Sequence, residues 1–575
     1  MRGCCALVLL AVSAAQIASA QDLRGAKPEP VPPQVAPAPE LKLPDDPLEL
    51  LPAQPNEAVL VPALRGVIFV PDAAEAQKPV PPGFSGIDAS RTPLVQKPDL
   101  EELLRIFLDK PASLPSLGRL AIALRLYLQQ EGHAFFSVFV PPQDLTEGVV
   151  RIVARPARLE GEVEIAGAQY FSEEQYRRAL RVRPGEPIDD LALQRDIDWL
   201  NRNPFRNAVI AAQPGAAEGT TRLGLRVRDQ PPWRVFAGYD DTGTRSTGDN
   251  RFFAGVNWGN AFGRGDQLSY QYKADPVARR SESHSATYLA GLPWRHVLSA
   301  FGVWSRIRPD LPAPFNQQGE SWQLGARYSV PLDAPRTGWA TEITAGFDFK
   351  YSDNTLEFAA TPIINNATHV VQGSLAYSLT HRGGPHGTRV LGALYASPGG
   401  LSSRNKDEFF AISRPGAKAD YLYGRLDVQH LHALPVGFTW LINASAQHTA
   451  AALLGSEQLA GGGANAVRGY GETAAFGDKG VLASNELHLP RVSLASLLGL
   501  DAMGPDNLDL FGFYDAAFLR ENAGGRKANL RSIGIGLNFQ LRNNLTLRSA
   551  YGRQLRALDG LSKDSRSHIM LQISF

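Results

Sequence analysis

The chain has 575 residues and carries 58 Lys and Arg against 57 Asp and Glu, so its formal net charge at pH 7 is +1. This length exceeds one ordinary domain and predicts either several domains or one large closed architecture. The balanced charge excludes the strongly basic surface typical of nucleic-acid-binding proteins, so nucleic acid is not expected among the partners.

Residues 1–20 have the pattern of a secretory signal peptide. A single basic residue precedes an apolar stretch too short to cross a bilayer, and the segment ends in the small-residue pattern that signal peptidases cleave. We therefore expect export and cleavage before Gln21, with an uncleaved anchor as the alternative. Both cysteines, Cys4 and Cys5, lie in this segment, so we expect no disulfide and no cysteine metal site in the mature chain.

Residues 21–58 are rich in proline, cannot bury a core, and predict an extended linker. Beyond residue 20 the sequence offers no run of about 18 apolar residues, the length that a membrane-spanning helix needs. A soluble protein and a membrane β-barrel remain, because only helices and closed barrels satisfy every backbone polar group in hydrocarbon.

The middle of the chain contains one β-α-α-β-β pattern twice. In the first copy, residues 59–156, the strand LRGVIFV precedes two helices with apolar faces, and HAFFSVFV and GVVRIVA complete the unit. The first of these helices is expected over residues 99–108. A proline-rich insertion near residues 71–97 separates it from the first strand.

The second copy covers residues 157–230 and has clearer helix signals. The strand LEGEVEIAG is followed by Ser172 and Gln175, which form the S-x-x-Q pattern of a capping box. Phe171 and Tyr176 are spaced for a hydrophobic staple around the same helix start. A second amphipathic helix and two strands follow. On pattern alone, these are two small α+β domains without visible pocket chemistry.

The pattern of residues 231–575 predicts strands and turns only. The segments QLSYQYKA, IGIGLNFQL and HIMLQISF alternate apolar and polar residues, as expected for a membrane barrel with a lipid-facing exterior and a polar lumen. Ile573 and Phe575 end the chain on the apolar face of the last strand, as a C-terminal barrel signal. A soluble sandwich or propeller shows the same alternation, but the signal peptide and the aromatic last residue favour a barrel of about 16 strands.

Patterns for enzymatic chemistry are absent from the sequence. It has no G-x-S-x-G, no H-E-x-x-H and no phosphate-binding loop, and its 11 histidines lack metal-ligand spacing. We therefore expect no catalytic residue, no metal site, no cofactor and no coupling to ATP within this chain.

A charged residue stands alone in the glycine-rich stretch GGGANAVRGYGE, where Val467, Arg468, Gly469 and Tyr470 form VRGY. Together with two β-α-α-β-β units before a barrel, this motif resembles the Omp85 superfamily. The nearest resemblance is to the two-partner secretion (TpsB) transporters, the exporters of haemolysin and filamentous haemagglutinin. The hairpin NWGNAFGRGDQLSYQY also resembles the first hairpin of that family.

The resemblance implies α+β periplasmic POTRA domains followed by an all-β transmembrane barrel of about 16 antiparallel strands. The outer membrane of a Gram-negative bacterium is the expected location, with the POTRA domains in the periplasm. It also implies that the motif arginine lies near the aspartate of an F-x-D-x-G motif. Here that motif is Phe513, Asp515 and Ala517, in which alanine replaces the final glycine.

Strand alternation supports Asp515 independently, because Leu510, Tyr514 and Phe518 share the opposite, apolar face. The departure at Ala517 puts close backbone approach in doubt, not the charge pair. Strand alternation also places Glu486, in the strand SNELHLP, on the face of the barrel that lines the lumen. Glu486 is either a solvated lumen charge or a second functional carboxylate.

The function implied by the resemblance is export of an unfolded partner exoprotein. The POTRA domains would capture that protein, by β-augmentation at a sheet edge, and pass it through the barrel without ATP. Outer-membrane lipids, and the barrel-assembly machinery during insertion, are the other expected partners. The alternatives are an outer-membrane protein assembly insertase of the same superfamily and, less in keeping with the periplasmic units, a diffusion porin.

Overall fold

A computed structural model describes residues 58–92, 96–130, 133, 135–244, 246–332, 338–359, 361–383, 386–500, 504–558 and 562–575. The predicted signal peptide, residues 1–20, and the proline-rich segment up to residue 57 lie outside the described residues. The described part of the chain divides into two compact units, one ending at Pro231 and the other beginning at Pro232.

The first unit begins with a small mixed sheet and two helices. Its elements are β1 (Val59–Val61), β2 (Gly66–Val70), β3 (Gly86–Asp88), α1 (Pro98–Arg105), β4 (Ala112–Ser113), α2 (Leu114–Gln130), β5 (Phe136–Phe139) and β6 (Val149–Pro156). The sheet order is β3-β2-β6-β5. Leucines of both helices pack on this sheet and are almost completely buried, among them Leu100, Leu104, Leu120 and Leu124.

Two features of this sheet were not predicted. The proline-rich insertion supplies β3, which pairs in parallel with β2 and becomes an edge strand. The helix expected over residues 99–108 is shorter, because α1 ends at Arg105. The backbone groups of Asp109 and Lys110 bond instead to Leu64, at 2.9 and 2.8 Å, and this pairing turns the chain out of the helix.

The same unit continues with β7 (Arg158–Leu159), β8 (Glu164–Ala166), α3 (Glu173–Ala179), α4 (Asp190–Leu200), β9 (Arg206–Pro214) and β10 (Thr220–Asp229). β10 pairs with β9 in antiparallel fashion and with β7 and β8 in parallel. The predicted capping box between Ser172 and Gln175 is present at the start of α3. Among the described residues no helix is both long and apolar enough to cross a membrane.

Asp229, the last residue of β10, organises the start of α3. Its carboxylate accepts hydrogen bonds from the backbone N–H groups of Gln169, Tyr170 and Phe171, each at 3.1 Å. The Tyr176 hydroxyl donates a further bond to it at 3.1 Å. Desolvation raises the pKa of this hydroxyl above its ordinary value, so it remains a donor. One buried carboxylate thus joins the end of the sheet to the helix.

In the second unit, the described residues form a closed antiparallel barrel of sixteen strands, which confirms the predicted architecture. Pairing of the first and last strands closes it. The strands are β11 (Trp233–Asp240), β12 (Arg251–Ala261), β13 (Asp266–Ala274), β14 (Ser281–Gly291), β15 (Val297–Ile307), β16 (Phe315–Leu332), β17 (Trp339–Phe358), β18 (Thr361–Gly383), β19 (His386–Pro398), β20 (Asp420–Ala433), β21 (Thr439–Thr449), β24 (Lys479–His488), β25 (Asp506–Arg520), β26 (Lys527–Leu541), β27 (Leu545–Gln554) and β28 (Ser565–Ser574).

The two faces of the wall alternate as the sequence predicts. In β28, Ile569 and Ile573 are 40% and 41% exposed on the outer surface, whereas His568, on the inner face of the same strand, is 4% exposed. In β26, Ile533 and Ile535 are also exposed on the outer surface. The outer surface of the barrel is therefore apolar over its middle, and the polar side chains face the lumen.

Strand direction defines two ends of the barrel. We name the end at which β11 begins, at Trp233, the near end, because the chain arrives there from Pro231. Phe575 also lies there, since its backbone pairs with Val235 at 2.8 and 3.0 Å. The opposite end is the far end. The prediction of strands and turns only was wrong for two connections, which form short helices. Helix α5 (Asp407–Ser413) lies between β19 and β20 at the far end, and α6 (Leu494–Leu498) between β24 and β25 at the near end.

Residues 450–478 connect β21 to β24 at the far end, and we name them the inward loop. β22 (Leu459–Gly461) and β23 (Ala475–Gly477) pair as a short hairpin within it. At its tip Arg468 and Tyr470 are 7% and 1% exposed, and they contact inward-facing groups of the wall. The loop therefore turns back into the lumen.

We expect Asp229→Ala to destabilise the first unit, because four donors lose their acceptor in a buried place. Each unsatisfied buried group costs about 1–3 kcal/mol, so a loss of about 3 kcal/mol in the free energy of unfolding is expected. Urea titration of the separately expressed unit, followed by circular dichroism, measures this change. Glu218→Ala, at an exposed turn, is the control and should leave the transition in place; coincident transitions for both variants would contradict the assigned role.

Candidate functional site in the barrel lumen

Arg468, at the tip of the inward loop, makes a fork of hydrogen bonds with Asp515 of β25. Its Nε donates to Oδ2 at 2.8 Å and one terminal nitrogen donates to Oδ1 at 2.7 Å. The backbone N–H of Arg468 also donates to Oδ2, at 3.0 Å. Asp515 is completely buried. The carboxylate therefore fixes both the side chain and the main chain of the arginine.

Glu486 and Ser484 of β24 complete the surroundings of the guanidinium. The second terminal nitrogen of Arg468 donates to Glu486 at 2.6 Å. The Ser484 hydroxyl accepts from Arg468 at 2.9 Å and donates to Asp515 at 2.7 Å. Of the two alternatives left open for Glu486, the geometry places it in direct contact with the motif arginine. Two carboxylates thus surround one guanidinium.

Aromatic and polar side chains extend this network toward the near end. The guanidinium carbon of Arg468 lies 3.6 Å from the ring centroid of Phe513 and 5.7 Å from that of Phe511. His488 stands between two carboxylates, with Nε2 at 3.0 Å from Glu486 and Nδ1 at 2.8 Å from Asp509. Since these residues belong to neighbouring inward positions of β24 and β25, strand alternation alone brings them together.

Val467 and Tyr470 hold the loop tip by packing and by hydrogen bonds. Both are buried, in a cluster that includes Ala517, Leu519 and Leu530 of the wall. The Tyr470 hydroxyl accepts from the backbone N–H of Arg531 at 3.2 Å and donates to the carbonyl oxygen of Arg556 at 2.5 Å, with the carbonyl oxygen of Arg531 also 3.1 Å away. The tyrosine thus joins the loop to the backbone of β26.

The alanine at position 517 is buried beneath the hairpin of the inward loop, next to Gly461. A Cβ atom added to Gly461 would lie 3.6 Å from the Ala517 Cβ and 2.9 Å from Leu519. The tight approach at Gly461 is therefore to Leu519, and the Ala517 methyl group lies at an ordinary packing distance beneath the hairpin. The departure from the F-x-D-x-G pattern leaves the contact between Arg468 and Asp515 in place.

Gly469 and Gly552 form a close backbone contact that the sequence did not reveal. Gly469 has φ of 90°, a conformation that favours glycine. A Cβ added to Gly552 of β27 would lie 2.6 Å from the Gly469 nitrogen and 2.7 Å from the Arg468 carbonyl carbon. Gln554 donates to the Gly469 carbonyl at 2.8 Å. Strand alternation in the sequence places Gly552 on the inner face of the barrel, but it does not show that Gly469 contacts it.

Two further ion pairs attach the inward loop outside its tip. Glu457 receives hydrogen bonds from Lys350 of β17 at 2.7 Å and from the Tyr423 hydroxyl of β20 at 2.9 Å. Asp478, at the base of the loop, pairs with Arg414 at 2.6 and 3.0 Å. Both carboxylates are nearly inaccessible to solvent. In the sequence, Glu457 and Asp478 are visible only as charged residues of a loop between two strands with polar faces. That signal is shared by other loop residues, so it did not identify these two.

The site has the chemistry of a docking contact for a loop. Its groups are an arginine, three carboxylates, a serine and a histidine that bond to one another. Within the described ranges, no group of three or more His, Cys, Asp or Glu is placed to hold a metal ion. The arrangement fixes the charged tip of the loop against polar groups of the wall.

Comparison with known proteins gives a consistent result. Residues 219–539 match the family described as haemolysin secretion/activation protein ShlB/FhaC/HecB, and residues 84–156 match the ShlB-type POTRA domain. The outer membrane transporter CdiB of Dickeya dadantii is 24% identical over 69% of this chain and 70% of its own length. The heme/hemopexin transporter protein HuxB of Haemophilus influenzae is 23% identical over 77% of this chain and 78% of its own.

Solved structures show the same fold. CdiB from Escherichia coli superposes with a TM-score of 0.70 over 98% of both chains, at 15% identity. CdiB from Acinetobacter baumannii superposes with a TM-score of 0.61 over 91% of both chains, at 17% identity. The likeness extends over the barrel and the region before it.

We expect Gly552→Ala to displace the inward loop from the wall, because the new Cβ would overlap the backbone of Arg468 and Gly469. A displaced loop should widen the path through the lumen and raise the single-channel conductance in planar bilayers. Gly392→Ala is the matched control, since a Cβ there meets no atom within 4 Å. Equal conductance of the two variants would contradict the close contact as a determinant of loop position.

Proposed function

The chain belongs to the haemolysin secretion/activation family of outer-membrane transporters, and on this premise we propose that it exports one unfolded partner exoprotein without ATP. The observation that carries the proposal is the inward loop, held in the lumen by Arg468, Asp515 and Glu486. A loop held by polar contacts keeps a pore closed to free diffusion while leaving a route that can open.

The periplasmic unit is proposed to capture the exoprotein. We assign residues 59–156 and 157–230 to two POTRA domains and residues 231–575 to the barrel. The sheet order β3-β2-β6-β5 leaves β3 and β5 as edges, and β9 is an edge of the second sheet. An edge strand presents unpaired backbone groups, so an extended segment of the exoprotein can add to it as a further strand.

Passage through the barrel is proposed to need no nucleotide. The sequence contains no phosphate-binding loop, so a chemical energy source would have to come from elsewhere. Folding of the exoprotein after it emerges would make its passage unidirectional. The polar inner wall supports this route, because an unfolded chain crosses it while its backbone groups remain hydrogen-bonded to water or to side chains.

Insertion into the membrane is proposed to use the C-terminal strand. Ile573 and Phe575 lie on the outer surface, where they are 41% and 80% exposed. An exposed aromatic terminus at the edge of the last strand is suited to recognition by the barrel-assembly machinery before β28 pairs with β11. Lipids then cover the same face.

We expect Arg468→Ala to reduce secretion of the exoprotein at least about tenfold while the barrel still inserts. The substitution leaves Asp515 buried without its partner, a defect of about 3–5 kcal/mol at the contact. Secretion is measured by immunoblot of the culture medium, and insertion by heat-modifiable migration of the barrel.

Arg468→Lys separates charge from geometry, because a lysine keeps the charge but lacks the planar fork that Asp515 and Glu486 grip. Secretion between wild type and the alanine variant is expected. Arg491→Ala, at an exposed turn at the near end, is the control and should secrete normally. Normal secretion by Arg468→Ala would refute the proposed role of the loop.

Deletion of the gene should remove one large secreted protein from the medium and leave the other outer-membrane proteins at normal levels. Quantitative proteomics of the medium and of the outer-membrane fraction measures both. A general fall in outer-membrane proteins would instead indicate an assembly insertase. An unchanged medium with lower uptake of small solutes would indicate a diffusion porin.

A further inference from the structure

Three cations lie in one row on the outer surface of the barrel at its far end. Lys479 of β24 is the register partner of Arg520 of β25, and Arg520 is the partner of Lys527 of β26. Neighbouring strands lie about 4.8 Å apart, so these charges repel one another. Among the described residues none of the three side chains forms a hydrogen bond or an ion pair.

Two more cations, Arg531 and Arg553, lie at outward positions of β26 and β27 beside this row, and we name the five residues the cationic patch. Arg553 of β27 points outward and is exposed. The Arg531 guanidinium lies 5.3 Å from the ring centroid of Phe518, and its buried Nε has no acceptor. Outward positions in the far half of β24 to β27 contain no carboxylate. The patch thus has a net positive charge that the protein itself does not neutralise.

The opposite side of the barrel differs. At the far end of β14 and β15, Glu282 and Arg306 form an ion pair on the outer surface. Glu320 of β16 accepts a hydrogen bond from the Trp304 indole at 3.0 Å. The far-end outer row there therefore contains carboxylates together with one cation, whereas the row of the patch contains cations only.

An apolar groove adjoins the patch on the outer surface. It has a volume of about 780 Å³ and crosses the strands from β17 to β24. Gly392 and Gly424 lower its floor, and apolar side chains including Leu394, Leu426 and Val481 form its walls. Lys479 lines one end of it. The groove and the cation row therefore meet at a single residue.

We propose that this surface binds a phosphate-bearing lipid of the outer leaflet. The phosphate groups would lie against Lys479, Arg520 and Lys527, and one acyl chain would occupy the groove. The far end of the barrel faces that leaflet, because the near end continues into the periplasmic unit. Anionic phosphate groups offset the repulsion among the cations of the row. The groove would hold one acyl chain in a fixed position against the apolar surface of the barrel.

Binding of lipid A to the purified full-length protein, measured by native mass spectrometry in detergent, tests the proposal. The triple variant Lys479→Gln, Arg520→Gln, Lys527→Gln should bind about tenfold or more weakly, because each cation at a membrane surface contributes several-fold to affinity. The control is the triple variant Arg279→Gln, Arg308→Gln, Lys418→Gln, which removes the same number of positive charges from exposed far-end positions outside the patch. It should bind as the wild type does.

The groove is tested separately. Gly392→Leu should fill the floor and weaken lipid A binding severalfold, whereas Gly512→Leu, on the outer face of β25 away from the groove, should not. Dephosphorylated lipid A should bind weakly, and millimolar inorganic phosphate should not compete. Unchanged binding by the patch triple, an equal loss in its control, or equal binding of the dephosphorylated lipid would overturn the proposal. Effective competition by inorganic phosphate would show a free-anion site instead.

Discussion

The structure of the lumen depends on one buried ion pair, between Arg468 and Asp515. A guanidinium removed from water is tolerated only when its donors find acceptors, and here each of its three nitrogens donates to an oxygen of Asp515, Glu486 or Ser484. The additional bond from the Arg468 backbone distinguishes this contact from a simple side-chain pair. Because the main chain is held too, the position of the whole loop tip follows from Asp515.

The remaining attachments of the inward loop combine polar contacts with an apolar cluster around Val467 and Tyr470. Glu457 and Asp478 hold it through Lys350 and Arg414, and the closest backbone contact, between Gly469 and Gly552, buries no large side chain. Polar contacts can be replaced by water or by the backbone of a passing chain, whereas a packed apolar plug has no such substitute. The polar contacts of the loop can therefore be replaced by an unfolded polypeptide, whereas the apolar cluster around Val467 and Tyr470 must separate for the loop to move.

Strand alternation made much of the barrel predictable, because a period of two fixes the face of each residue without knowledge of its neighbours. It placed Asp515 and Glu486 on the inner face. It could not reveal the contact of Gly469 with Gly552, which depends on how the loop crosses the lumen. Nor could helical periodicity locate the end of α1 at Arg105, because pairing of Leu64 with Asp109 and Lys110 ends it.

A barrel wall is one residue thick, so consecutive residues serve different environments. Arg531 illustrates the constraint: its backbone binds the Tyr470 hydroxyl on the lumen side, while its guanidinium lies over Phe518 on the outer side. Leu530 beside it packs under the loop. The strand segment that receives the loop motif is thus the segment that carries the cationic patch. A force on the outer face that shifts the backbone of Arg531 must also shift the backbone groups that bind the Tyr470 hydroxyl. The outer surface and the inward loop are therefore mechanically coupled through this residue.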